Sequence, residues 1–123
     1  MIILDSNIVI YSALPENEPL REFITVESPV VSVITRVEVL GFHDLITAHK
    51  EYFESFFASA CELPISDEII DKAIELKQHR NISLGDSLIA ATALENSLVL
   101  ATANIKDFQW IDALELIDPL ENK

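Results

Sequence analysis

The sequence predicts one three-layer α/β domain over residues 1–123, with a largely parallel, twisted sheet of about four to five strands flanked by helices. Three observations predict it. Short apolar runs of strand length recur along the chain, and the stretches between them carry apolar residues at helical spacing. No low-complexity tract, internal repeat or Pro/Gly/Ser-rich linker divides the chain. Half of the 123 residues are hydrophobic, which is enough to bury a core and argues against disorder.

Taken in order, Met1–Leu4 is a short apolar run and reads as a buried strand. A helix follows from about Ser6 to Leu14, stopped by Pro15. Glu16–Glu27 reads as helix because Leu20, Phe23 and Ile24 share a face. Pro29 opens a second strand, Val30–Val33, and the next helix is expected from about Arg36. Thr47–Ala60 is helical, with Tyr52, Phe53, Phe56 and Phe57 as an aromatic stripe suited to the core or a dimer interface. Cys61–Ile65 reads as a short strand. Ser66 then opens a helix to about Arg80, with Asp67 and Glu68 in the first turn as the helix dipole favours. Ser83–Asn96 is helical, Leu98–Thr102 a strand, and Leu114–Ile117 a last short strand.

Charge sets the main constraint on function. With 21 acids against 8 Lys and Arg the formal charge is −13, which repels nucleic acid at long range and attracts cations and basic peptides. The single cysteine, Cys61, leaves no intrachain disulfide and suits a reducing compartment. The N-terminal MIILDSNIVIYSAL lacks a basic leader and is interrupted by Asp5, against a signal peptide. The apolar stretch around Leu88–Leu94 is far too short to span a membrane. The expectation is a cytoplasmic protein whose high apolar content serves self-association, as a homodimer.

Four acids stand out: Asp5, Glu38, Asp86 and Asp107, with Ser6, Thr102 and Asn104 as polar neighbours. Each has an ordinary structural explanation. Asp5 can cap the first helix, Thr35–Glu38 and Ser83–Asp86 both fit a capping box, and Asn104–Asp107 fits a capped turn. Their joint placement points elsewhere. Asp5 and Asp107 lie at or just past the carboxyl ends of apolar strands, the edge where α/β sites form. Asp86 shares a helical face with Ile89, Ala90 and Ala93, and Glu38 one with Ile34 and Phe42, so both carboxylates are expected among core residues. Gathered carboxylates repel unless a cation neutralises them. Hard oxygen donors without companion His or Cys favour magnesium, with manganese as its substitute. Zinc is disfavoured, since Cys61 has no partner and His43, His49 and His79 are not at ligand spacing. No serine sits in a nucleophile elbow, and Gly41 and Gly85 stand alone rather than in a phosphate loop.

The blocks LDSNI, TRVEVLGF, LGDSLIAATAL and LVLATANIKDF, in that order over nearly the whole chain, resemble the PIN-domain ribonucleases, specifically VapC-like toxins of toxin–antitoxin pairs. The resemblance is most specific where the aspartate-led apolar helix precedes a strand ending in T-x-N-x-x-D-F. It implies a PIN-like fold and a magnesium site for RNA cleavage at Asp5, Glu38 and Asp86. The fourth position falls in the turn: Asn104 stands where many relatives carry aspartate, and Asp107 is the nearby carboxylate that could substitute. Ser6 matches a usual threonine and could orient a carboxylate. Ala103 replaces an arginine common in related sequences.

The implied activity is hydrolysis of RNA phosphodiester bonds to 5′-phosphate and 3′-hydroxyl ends, in which Asp107 or Asn104 positions the attacking water or a second ion. Arg36 and Lys106 are the candidate contacts to substrate phosphate, with Lys77, His79 and Arg80 as an extension. The implied partner is an antitoxin that inserts a basic segment into the acidic cleft. Two rivals remain: a catalytically silent PIN-like interaction module, and a receiver-like phosphohydrolase. Ser6 and Asn7 after Asp5 disfavour the second, which would want another acid there.

Overall fold

The structure is a computed structural model and describes residues 1–121. Five strands, β1 (Ile2–Leu4), β2 (Val30–Ser32), β3 (Cys61–Leu63), β4 (Val99–Ala101) and β5 (Leu116–Ile117), form one sheet. Their order is β3-β2-β1-β4-β5, and every pairing is parallel. The chain therefore builds outward from β1 to one edge, then returns to β1's other side and builds toward the opposite edge. The reversal falls between β1 and β4, which pair Ile2 with Val99, Ile3 with Leu100 and Leu4 with Ala101.

Strand periodicity explains why β1, β4 and β5 are apolar throughout. Successive side chains leave opposite faces of the sheet, and here both faces are covered. Ile3, Val30, Leu100 and Leu116 enter one core, with α5 (Asp67–His79), α6 (Leu84–Glu95) and α7 (Ile105–Phe108). Leu4, Val31, Ala101 and Ile117 enter the other, with α1 (Ser6–Ser12), α2 (Glu18–Glu27), α3 (Val33–Leu40) and α4 (Thr47–Ser59). The aromatic stripe of α4 belongs to this second core: Phe53 is fully buried, and Tyr52, Phe56 and Phe57 pack partly buried around it. Helix α6 is buried nearly all round, and its alanines allow close approach to α5.

Several boundaries differ from the sequence expectation. Helix α3 starts at Val33 rather than near Arg36, and β2 ends at Ser32. The β-branched run Val33-Ile34-Thr35 suggests strand, but the Ser32 hydroxyl accepts the Ile34 N–H at 3.2 Å and caps the helix there. Thr35–Glu38 therefore lies inside α3 and is no capping box. Strand β3 stops at Leu63, before Pro64, which has no N–H to give an edge ladder. The strands expected at Leu98–Thr102 and Leu114–Ile117 are trimmed to β4 and β5. Leu14 and Ala13 fall outside α1, and a 3-10 turn over Pro15–Asn17 precedes α2. Ile105–Phe108, expected as a turn, is the one-turn helix α7, and the Asn104 side chain does not cap it.

Candidate active site

The reversal point of the sheet holds the most buried acid. The Asp5 N–H donates to the Ala101 carbonyl at 2.9 Å, extending the β1–β4 ladder by one residue, and the Asp5 carbonyl then accepts the Ile8 N–H that begins α1. Asp5 thus occupies a helix N-cap position, yet its carboxylate does not cap. It instead accepts a 2.8 Å hydrogen bond from the buried Thr102 hydroxyl, at the end of β4. Thr102 is fixed in turn by its N–H on the Ile117 carbonyl, and its Oγ1 accepts the Asn104 N–H at 3.0 Å. The Asp5 residue is only 3 % exposed. Burial pushes its carboxyl up to about 6, opposed by the Thr102 bond and the Ser6 N–H and reinforced by the charges of Asp86 and Glu38.

Glu38 projects from the exposed face of α3, not from among core residues. The expectation of a shared apolar face fails because Phe42, beyond the helix end, is itself 49 % exposed. What holds Glu38 is the Ser6 hydroxyl, which donates to Oε1 at 2.6 Å and lies 3.2 Å from the buried Thr35 hydroxyl. Asp86 is half-buried in the first turn of α6, where the Ser83 hydroxyl accepts its N–H at 3.1 Å. The capping explanation therefore holds for Ser83, while burial and the neighbouring charges of Asp107 and Glu38 push the Asp86 carboxyl up. Asp5, Glu38 and Asp86 share one electrostatic field, and Asp107 joins it through Asp86.

Gly85 lets α3 and α6 come this close. A Cβ at Gly85 would collide with Glu38 Oε2 and stand 2.8 Å from Cδ. Sequence reasoning passed over this role, although a glycine inside a helix is a signal in itself. The capping-box pattern offers Ser83 and Thr35 only as caps, yet both support the acids: the Ser83 hydroxyl accepts the Asp86 N–H, and the Thr35 hydroxyl lies beside the Ser6 hydroxyl that holds Glu38. Asp107 is exposed on α7, and with Asp86, Lys106, Arg80 and Trp110 it borders an open hollow of about 370 Å³. Asn104 meets the cluster through its backbone N–H. The Arg36 guanidinium forms a two-point ion pair with Glu62, at 2.9 and 3.0 Å. Lys77 is likewise engaged, donating to the Ile82 carbonyl at 2.8 Å.

The donor set suits a hard divalent cation: every candidate ligand is a carboxylate oxygen, and the Gly85 cradle keeps the Glu38 carboxylate beside the Asp86 helix. Among the described residues no three acid, His or Cys side chains form a ready-made cage.

Comparison with known proteins gives the same fold. The PIN domain family model matches residues 2–114. The chain is 32 % identical over 90 residues to "Ribonuclease VapC10" of Mycobacterium tuberculosis, covering 69 % of this chain and 66 % of that relative's length. A structure of VapBC-1 from nontypeable Haemophilus influenzae superposes with a TM-score of 0.80 at 28 % identity, covering 98 % of this chain and all of the other. A toxin–antitoxin complex from Klebsiella pneumoniae gives 0.76 at 25 % identity, covering 97 % and 98 %. The domain built around Asp5, Glu38 and Asp86 belongs to the PIN-domain family.

Proposed function

We propose that this chain is a magnesium-dependent endoribonuclease acting as the toxin of a toxin–antitoxin pair. One observation carries the reading: Asp5 is buried at the reversal point of a parallel sheet, at a position that invites a cap and is not one, and the charges of Glu38 and Asp86, from two other segments, act on it. The names of the relatives support the chemistry, since one is a ribonuclease and the structural neighbours include toxin–antitoxin complexes.

In this reading Asp5, Glu38 and Asp86 hold the ion, with manganese able to replace magnesium. When bound, the ion polarises the scissile phosphate and lowers the pKa of water. The chain's own groups do the rest. Thr102 fixes the rotamer of Asp5, and Ser6 that of Glu38, so both carboxylates are oriented before substrate arrives. Asp107, exposed beside Asp86, orients the attacking water, and the Asn104 backbone keeps the turn on Thr102. Water oxygen adds to phosphorus, the P–O3′ bond breaks, and the proton passes to the departing O3′.

The acidic body supports the partner as well. A basic antitoxin segment would meet a chain of charge −13. Val37 and Leu84, each 63 % exposed, stand next to Glu38 and Gly85 and offer apolar contact beside the acids. No described helix is long and apolar enough to cross a membrane. The test is cleavage of mixed single-stranded RNA by wild type, Asp5→Asn and Asp86→Asn, each with magnesium and with EDTA. Only wild type with magnesium should cut. Cutting by either variant, or in EDTA, would overturn the assignment, and an inert wild type would favour a silent interaction module.

A further inference from the structure

The fate of each cation separates them sharply. Of the eight Lys and Arg, Lys123 lies outside the described residues. Arg21 donates to the Ser12 and Leu14 carbonyls, Arg36 pairs with Glu62, Lys72 with Glu75, and Lys77 binds the Ile82 carbonyl. Lys50, Arg80 and Lys106 have no carboxylate or carbonyl partner among the described residues. Two of these three, Arg80 and Lys106, line the same hollow as Asp86 and Asp107.

That hollow is also braced. The Arg80 guanidinium lies 5.3 Å from the centre of the Trp110 ring, and the Trp110 Nε1–H donates to the Asp107 carbonyl at 2.9 Å. The loop behind Arg80 is tied by the Ile82 N–H on the Arg80 carbonyl and by Lys77 on Ile82. In a chain this acidic, two cations with no ion-pair partner among the described residues forgo attraction that nearby acids could supply. Lined by two acids and two cations, the hollow can take a phosphate on its cations beside carboxylates that can hold an ion. Its volume, about 370 Å³, lies at the small end of ligand pockets, roughly 300–1,000 Å³.

We propose that this hollow is a nucleotide subsite in which Arg80 and Lys106 hold the RNA phosphate adjoining the one under attack, with Trp110 as its wall. The inference rests on the ribonuclease reading and adds to it the direction in which substrate leaves the acids.

Trp110 is the only tryptophan, so its fluorescence reports on the hollow. The probe is a short mixed-sequence single-stranded RNA, titrated in calcium for binding and in magnesium for KM and kcat. The proteins are wild type, Arg80→Gln/Lys106→Gln, each single variant, and Lys50→Gln as a control for net charge. Wild-type fluorescence should change on binding. The double variant should raise KM about 10-fold with a much smaller change in kcat and lower the slope of log K against log salt by about one to two. Each single variant should give a partial effect, and Lys50→Gln less than about twofold. The subsite is overturned if wild type cleaves RNA and the double variant behaves like Lys50→Gln, or loses kcat with KM unchanged. Equal fluorescence changes with an oligoglutamate peptide would reassign the hollow to a protein partner. Wild type that neither binds nor cuts RNA would overturn the ribonuclease reading and the subsite together.

Discussion

The two ends of the acid row are built differently. Asp5 and Glu38 are held by hydroxyls, Thr102 on one and Ser6 on the other, and Asp5 is buried against the sheet. Asp86 and Asp107 face an open hollow, and Asp107 is exposed on a single turn of helix. The first end is preorganised at the expense of desolvating a carboxylate, and the second is accessible and shares its space with cations. A site that must hold an ion firmly and still admit a polymer needs both.

The buried end should give the largest effects. Asp5→Asn should reduce RNA cleavage by at least about 100-fold, yet stabilise the metal-free protein. The folded carboxyl titrates near 6 against an ordinary 3.8. Between those values the folded state keeps a proton that the unfolded chain has lost, so stability falls as pH rises through that window. In EDTA at pH 7 the variant should therefore exceed wild type by about 1–3 kcal/mol, an advantage that fades below about pH 4. Thermal melts across pH check this, and a variant less stable at pH 7 would mean that Asp5 is satisfied as it stands.

Gly85→Ala tests the seam between the two ends. The added methyl meets the flexible end of Glu38, so the carboxylate must swing away while the backbone stays. Activity should fall about 10- to 100-fold, while stability is unchanged or gains up to about 1 kcal/mol from helix propensity. Equal losses of activity and stability would show that the helices, not the side chain, had moved.

Thr102→Val keeps the shape and removes the hydrogen bond that lowers the Asp5 carboxyl. The acidic limb of the pH–rate profile should move to higher pH, with about 1–3 kcal/mol lost at neutral pH. An unmoved limb would detach Thr102 from the chemistry. The open end should give the smallest changes: Asp107→Asn a few-fold loss in kcat, and Asn104→Ala less, because Asn104 meets the cluster through its backbone. A larger effect at Asn104 would place the fourth polar contact there.

Much of this was legible in the sequence because it depends on local pattern. Apolar strand runs and the buried helix after Ser83 give the α/β order, and Asp5 declares itself by ending such a run. The sheet order and the start of α3 were less legible: three β-branched residues look like strand, and only the Ser32 cap and packing make them helix. Helical spacing misplaces Glu38 among core residues, since it names a face without saying what covers it, and Glu38 is exposed. Gly85 and the pairing of Arg36 with Glu62 depend on contacts between segments distant in sequence, which spacing cannot express.

The most direct measurement of whether Asp5, Glu38 and Asp86 act as one ion site is thermal stability against manganese concentration in wild type and Asp86→Asn. Preferential binding to the folded state should raise the wild-type melting temperature progressively, by the equivalent of about 2.7 kcal/mol at 100 times Kd, and Asp86→Asn should respond markedly less. An equal rise in both proteins, or none in wild type, would contradict the site.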